Sequence, residues 1–93
     1  MIQPFADKHT EALWQGKRHK IPPDIAHRAL NKLQRIHASP DLDTLRNPPS
    51  NNLEILSGDR AGQYSIRINQ RYRICFAWDA ANNAYDVEIT DYH

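Results

Sequence analysis

Cysteine is nearly absent from this 93-residue chain: Cys75 stands alone, which excludes an internal disulfide and leaves no thiolate cluster for a metal. Its place inside an alternating run marks it as a packing residue rather than a nucleophile. No stretch of 18 apolar residues occurs, and the first residues lack the apolar segment of a secretory signal, so a cytoplasmic protein is expected. HExxH, P-loop, nucleophile-elbow and dinucleotide-binding patterns are missing. His9, His19, His27 and His37 do not have the spacing of metal ligands. Neither metal nor cofactor is therefore expected. Strong charge of one sign is lacking too. The net charge is +1, too small to argue by itself for a nucleic-acid partner. Lysine is absent after Ser50. The first half carries eight Lys or Arg against five acids, and the second carries four Arg against six acids. Arginine, the cation suited to directed contacts with oxyanions, is thus the only cation of the C-terminal half.

What is present centres on two alternating runs, Tyr64-Ser65-Ile66-Arg67-Ile68 and Tyr72-Arg73-Ile74-Cys75-Phe76-Ala77-Trp78. Both have the period-two pattern of strands with one apolar face. A two-residue loop between them would set their apolar faces on opposite sides. A three-residue loop, Asn69-Gln70-Arg71, pairs Ile68 with Tyr72, Ile66 with Ile74, and Arg67 with Arg73. That register places two like charges side by side on the face away from the core, an arrangement that opposes folding. Two readings follow. Either the two guanidinium groups converge on an anion such as phosphate, or each pairs with an acid such as Glu88 or Asp59 and the face is only solvated.

The 40% hydrophobic and 25% charged composition is that of an ordinary globular chain, and its length suits a single domain over residues 1–93. Met1 to Phe5 reads as a short strand, confined by Pro4 to an edge. Asp7 caps a helix through Gln15, with Gly16 as its stop. Lys17-Arg18-His19-Lys20 is a basic loop, a solvated turn or a binding patch. Pro22-Pro23-Asp24 opens the longest helix, whose stripe of Ile25, Ala26, Ala29, Leu30, Leu33 and Ile36 faces the core and which ends at Ser39-Pro40. On its outer side Arg28, Lys32 and Arg35 form a basic stripe, either solvated or following a nucleic-acid backbone or an acidic partner. Leu42 and Leu45 anchor one helical turn in the connector that follows. Leu53 to Leu56 is a short strand, Ser57 to Gly62 a loop, and Asp79 to Ala84 a turn. Tyr85, Val87 and Ile89 alternate along a last strand that ends in Thr90-Asp91-Tyr92-His93. The order strand, two helices, four strands predicts an α+β fold, with two N-terminal helices on one face of a mostly antiparallel sheet. The other face then carries Ser65, Arg67, Arg73, Cys75, Glu88 and Thr90.

Four arginines (Arg60, Arg67, Arg71 and Arg73) and the acid–phenol–imidazole ending Asp91-Tyr92-His93 remain. The ending is either a frayed terminus without a role or a set of proton-handling groups beside the arginines, and cutting RNA without a metal needs little more. A base deprotonates the 2′-hydroxyl, an acid protonates the leaving oxygen, and cations stabilise the charge on phosphorus. Tyr72 and Tyr92 add rings on which bases stack, provided they face the site.

The segments Leu56-Ser57-Gly58-Asp59-Arg60-Ala61-Gly62, Tyr64-Ser65-Ile66-Arg67, Tyr72-Arg73-Ile74-Cys75-Phe76 and the ending Asp91-Tyr92-His93 together resemble the HigB toxins of the RelE/ParE superfamily, the plasmid maintenance killer type. The resemblance runs over essentially the whole chain. It implies a RelE/ParE-like fold and a bacterial toxin that cuts mRNA in the ribosomal decoding site. It also implies a HigA-type helix-turn-helix antitoxin through which the pair represses its own operator DNA. Carried over by position, Arg60, Arg67 and Arg73 would hold and polarise the phosphate, with Arg71 and Tyr72 as further substrate contacts. Asp91, Tyr92 and His93 would orient the RNA and move protons. Members of that group carry a histidine and a lysine where this chain has Glu54 and Ser57. The base is then Glu54, which alternates with Leu53 and Ile55 onto the polar face, or His93 alone; or Glu54 is a plain surface residue. Two other functions stay open: a ParE-like gyrase inhibitor, and a weakly active or non-cleaving toxin kept for operon autoregulation.

Overall fold

The computed structural model describes residues 1–2 and 4–91. Two helices, α1 (Lys8–Gln15) and α2 (Pro23–Ala38), precede four strands: β1 (Glu54–Ile55), β2 (Gln63–Arg67), β3 (Tyr72–Trp78) and β4 (Ala84–Asp91). The strands form one antiparallel meander in the order β1-β2-β3-β4. Both helices lie on the same face of it, the α+β arrangement expected.

The helix ends follow their local chemistry. Asp7 accepts a hydrogen bond from the Thr10 backbone N–H at 3.3 Å, satisfying one free donor of the first turn, and Gly16 closes α1 at φ 74°, where a side chain is costly. α2 starts on Pro23 and stops at Ser39, whose hydroxyl returns to the Arg35 carbonyl at 2.8 Å. Of the expected stripe, Ile25, Ala29, Leu33 and Ile36 are buried, and Ala26 packs against the cluster from its margin. These residues meet Ile66, Ile68, Ile74, Phe76 and Val87 from the sheet, and Leu13 and Leu45 close the ends. Burial of this apolar surface is the main force that holds helices to sheet. Leu45 enters from a single 3₁₀ turn, Asp43–Arg46, where one helical turn was expected.

The β2–β3 register is the one that the alternation demanded. Ile66 faces Ile74 and Arg67 faces Arg73, and the Ile68 N–H donates to the Tyr72 carbonyl at 2.9 Å. Asn69 rigidifies the loop, its Oδ1 accepting from the backbone N–H groups of Arg71 at 2.8 Å and Tyr72 at 2.7 Å.

Two expectations about strands change. The N-terminal strand is reduced to two isolated parallel bridges, Ile2 to Ala84 and Phe5 to Val87, along the free edge of β4. Beyond them the Thr10 hydroxyl accepts the Ile89 N–H at 3.0 Å, so α1 itself covers the next donor of that edge. Tyr85 does not share a face with Val87. A bulge falls between the pairs Cys75–Glu88 and Ala77–Tyr85, with Asp86 at φ 52°. The extra residue inverts the alternation, turning Tyr85 outward and placing Ala84 in the core at 0% exposure.

Candidate active site and basic groove

The sheet face away from the helices is ordered in rows by the register. Glu54, Ser65, Cys75 and Glu88 stand side by side in one row, and Arg67, Arg73 and Thr90 in the next. The face was expected to be open, yet its centre is closed: Ser65 and Cys75 are fully buried and Arg73 is 5% exposed.

Among the described residues, neutral oxygens accept the short hydrogen bonds of Arg73. Its Nε donates to the Ser65 hydroxyl at 2.8 Å and its Nη2 to the Asn52 carbonyl at 2.7 Å, with a longer contact to the Ser65 carbonyl at 3.4 Å. Asn52 has φ 47°, a left-handed conformation that asparagine tolerates. The Glu54 carboxylate lies 3.9 Å from the same Nη2 and is half exposed. A base at the mouth and a buried, immobilised cation behind it is an arrangement able to act on a phosphodiester.

Arg60 closes the other end of the face. It leaves the loop between β1 and β2, donates to the Gln63 side chain at 3.0 Å, and ion-pairs with Glu88 on β4 at 2.5 Å. It thereby links the β2 side of the face to β4, on either side of β3.

The convergence of Arg67 and Arg73 on one anion is not what the structure shows. The backbones are paired, but Arg73 leans toward Ser65 and Asn52, while Arg67 lines a separate groove with Arg28, Lys32, Ser50, Ile68, Asn69 and Gln70. This groove, of about 490 Å³, lies between α2 and the β2–β3 hairpin. The Arg28 Nη1 donates to the Ile68 carbonyl at 3.4 Å, and the Lys32 ammonium donates to Asn51 Oδ1. Asn51, fully buried, is itself held by the Leu45 and Asn47 carbonyls, each at 3.1 Å. Burial, then the charges of Arg35 and Arg28, lower the Lys32 pKa below its ordinary value.

The remaining candidates fall elsewhere. Arg71 forms a two-pronged pair with Asp91, at 2.9 and 2.8 Å, which raises the Arg71 pKa. Asp91 faces Tyr72 across β3 and β4, so both belong to the helix side of the sheet, at its hairpin end. Tyr72 packs against the core with the Arg71 guanidinium 5.4 Å from its ring centre, away from the Arg73 cluster. Tyr92 and His93 lie outside the described residues. Among the described residues, no three His, Cys, Asp or Glu side chains gather as metal ligands, and no helix is long and apolar enough to cross a membrane. Residue spacing missed Asn52, which acts through its carbonyl, and missed the meeting of the α2 basic stripe with Arg67.

The model of the HigB-like toxin family, described as RelE-like toxins of type II toxin–antitoxin systems, matches residues 3–93. The chain belongs to this family. Among relatives, Toxin HigB-1 of Vibrio cholerae serotype O1 is 39% identical over 80 residues, 84% of either chain. Endoribonuclease HigB of Proteus vulgaris is 31% identical over 94 residues and covers both chains fully. A chain of the YoeB–YefM toxin–antitoxin complex from Staphylococcus aureus superimposes with a TM-score of 0.48 at 21% identity, over 72% of this chain and 74% of that one. In this HigB-type chain the buried Arg73 has the Glu54 carboxylate at its side.

Proposed function

We propose that this toxin is an endoribonuclease that cuts mRNA on the ribosome, with its reaction centre on the polar sheet face around Arg73. The observation that carries the reading is the side chain of Arg73, 7% exposed, locked by Ser65 and Asn52, with the Glu54 carboxylate 3.9 Å away. A cation that cannot swing away requires no reorganisation as charge builds on the phosphoryl oxygens. The Proteus vulgaris relative named Endoribonuclease HigB, aligned over the full length, supports the endoribonuclease part of this reading.

In the reaction Glu54 removes the proton of the 2′-hydroxyl. The 2′-oxygen attacks the adjacent phosphorus, the bond to the 5′-oxygen breaks, and that oxygen takes a proton from His93. The products are a 2′,3′-cyclic phosphate and a 5′-hydroxyl end. Arg73 stabilises the pentacoordinate phosphorus, and Tyr92 orients the base of the target nucleotide. Asp91, bound by Arg71, braces the end of β4 that leads to these last two residues. The toxin works in the cytoplasm, and a HigA-type helix-turn-helix antitoxin restrains it and links it to operator DNA.

Growth arrest on induction, together with mapping of RNA 5′ ends, tests the reading. Glu54→Gln is expected to lower cleavage by about 10²–10⁴, the usual contribution of a general base, and His93→Ala to abolish arrest. Codon-phased cuts support the proposal. DNA breaks with an SOS response and intact mRNA would replace it with gyrase inhibition. No arrest with preserved antitoxin-dependent operator binding would replace it with a regulatory role.

A further inference from the structure

We infer that the groove between α2 and the β2–β3 hairpin is a second phosphate site, which grips the RNA backbone beyond the bond that is cut. The inference rests on the proposed function for the identity of the anion, and on the groove itself for the rest.

The groove's cations are not neutralised as several of the arginines elsewhere are. Arg46, Arg60 and Arg71 are each paired with a carboxylate, Asp43, Glu88 and Asp91 respectively. In the groove, Arg28 is held by a backbone carbonyl and Lys32 by an amide oxygen. Among the described residues none forms a hydrogen bond or ion pair with the Arg67 guanidinium. Among the described residues that line the groove none is acidic. Three positive charges are thus gathered around one opening, two of them positioned by neutral acceptors that leave their charge intact, which favours an anion with several oxygens.

The holding of Lys32 is deliberate in its geometry. Both amide hydrogens of Asn51 are committed to carbonyls, so its oxygen is left to face the Lys32 ammonium, which retains two further donors. Burial is the larger cause of the lowered Lys32 pKa, and the charges of Arg35 and Arg28 add a repulsion that a bound phosphate would relieve.

Position chooses RNA over an acidic protein segment. Arg67 lines the groove and is also the direct cross-strand neighbour of Arg73. For a strand whose scissile phosphate sits at Arg73 and Glu54, Arg67 is the adjoining cation across the strand pair, and Arg67 leads into the groove. Ser50 and Gln70, exposed at its rim, are hydrogen-bonding groups for sugar hydroxyls.

The experiment uses the full chain and a fluorescent oligoribonucleotide with every 2′-hydroxyl methylated, so that binding is read without cleavage. Anisotropy is measured over a range of KCl for wild type, Arg28→Gln, Lys32→Gln and the double variant, with Lys32→Arg as the charge-preserving control. Each lost phosphate contact should weaken binding about five-fold at 0.1 M salt and flatten the slope of log affinity against log salt by about 0.7. The double variant should compound both effects, and Lys32→Arg should bind as wild type does. Unchanged affinity and slope in the double variant, or an uncuttable RNA that wild type fails to bind, would overturn the inference. Loss of antitoxin affinity with RNA binding intact would overturn it in favour of a protein interface. Because the probe cannot be cut, weakened binding here with normal cleavage by Glu54→Gln would refute the proposed reaction centre and leave the groove standing.

Discussion

Removing the Ser65 hydroxyl should destabilise this protein far more than a serine-to-alanine change on a strand usually does. Ser65 is fully buried, and its Oγ accepts from the Arg73 Nε at 2.8 Å. Ser65→Ala leaves that donor of a nearly buried guanidinium facing a methyl group, out of reach of water. A hydrogen bond to a charged group contributes about 1.5–3 kcal/mol. Nη2 keeps its bond to the Asn52 carbonyl, so the full cost of an orphaned charge does not apply, and about 2 kcal/mol is expected. For a domain of this size, that lowers the thermal midpoint by about 8–16 °C.

The decisive assay is a double-mutant cycle of Ser65→Ala and Arg73→Met, followed by thermal and urea denaturation. Once the guanidinium is gone the hydroxyl has lost its charged partner. The coupling should then amount to about 1.5–3 kcal/mol, with Ser65→Ala itself much milder in the Arg73→Met background. Ser65→Thr, which keeps the oxygen, is the conservative control. A coupling below about 0.5 kcal/mol would mean that Ser65 does not hold Arg73, and the account of a pre-aimed cation would fail.

Two further outcomes are expected. Glu88→Gln removes the carboxylate that engages Arg60; both side chains are partly exposed, so stability should change by less than about 1 kcal/mol. The released Arg60 should tighten binding of the uncuttable RNA and steepen its salt dependence, and weaker binding would show instead that the pair is needed to shape the face. For Lys32, the folded pKa is lowered from 10.5, so between the lowered value and 10.5 the unfolded chain binds more protons than the folded one. Stability should accordingly rise with pH across that alkaline window relative to Lys32→Gln, as denaturant midpoints would show, and parallel profiles for the two proteins would refute the assignment.

Features that depend on short-range periodicity were readable from the chain. The hairpin register followed from parity in two runs, because only a three-residue loop keeps Ile66, Ile74 and Phe76 on one side. α2 followed from Pro23, the apolar stripe and Ser39. The face of Tyr85 did not, because a bulge at Asp86 is one backbone conformation and leaves no periodic trace. Convergence of Arg67 and Arg73 failed for a different reason. Register places Cβ atoms, but an arginine head lies several bonds beyond its Cβ and goes where acceptors are. For Arg73 these are a neighbouring hydroxyl and a carbonyl 21 residues away. The groove was illegible for the same reason of distance, since Arg28 meets the Ile68 carbonyl across 40 residues. Each half was visible, as a basic helix stripe and a lone arginine, and only the fold joins them.

The division of the cations has a kinetic meaning. Charges already compensated by carboxylates add little to long-range attraction, whereas uncompensated ones set the salt dependence of binding. With a net charge of only +1, the pull on a polyanion must come from local groups. Arg28, Lys32 and Arg67 form one such cluster, with no acid among the described residues that line their groove. Arg73 is nearly enclosed and lies within 3.9 Å of Glu54, so its influence is short in range, and in the proposed reaction it is confined to the scissile phosphate. Binding and chemistry are therefore separable by substitution. Loss of charge at Arg28 or Lys32 raises the RNA concentration needed for half-maximal rate and leaves the saturated rate alone. Loss of the Ser65 hydroxyl or the Glu54 carboxylate lowers the saturated rate while the salt slope stays as it was. An enzyme in which both classes of change moved the same parameter would have a single anion site, and the register that sets Arg67 beside Arg73 would then be a matter of folding alone.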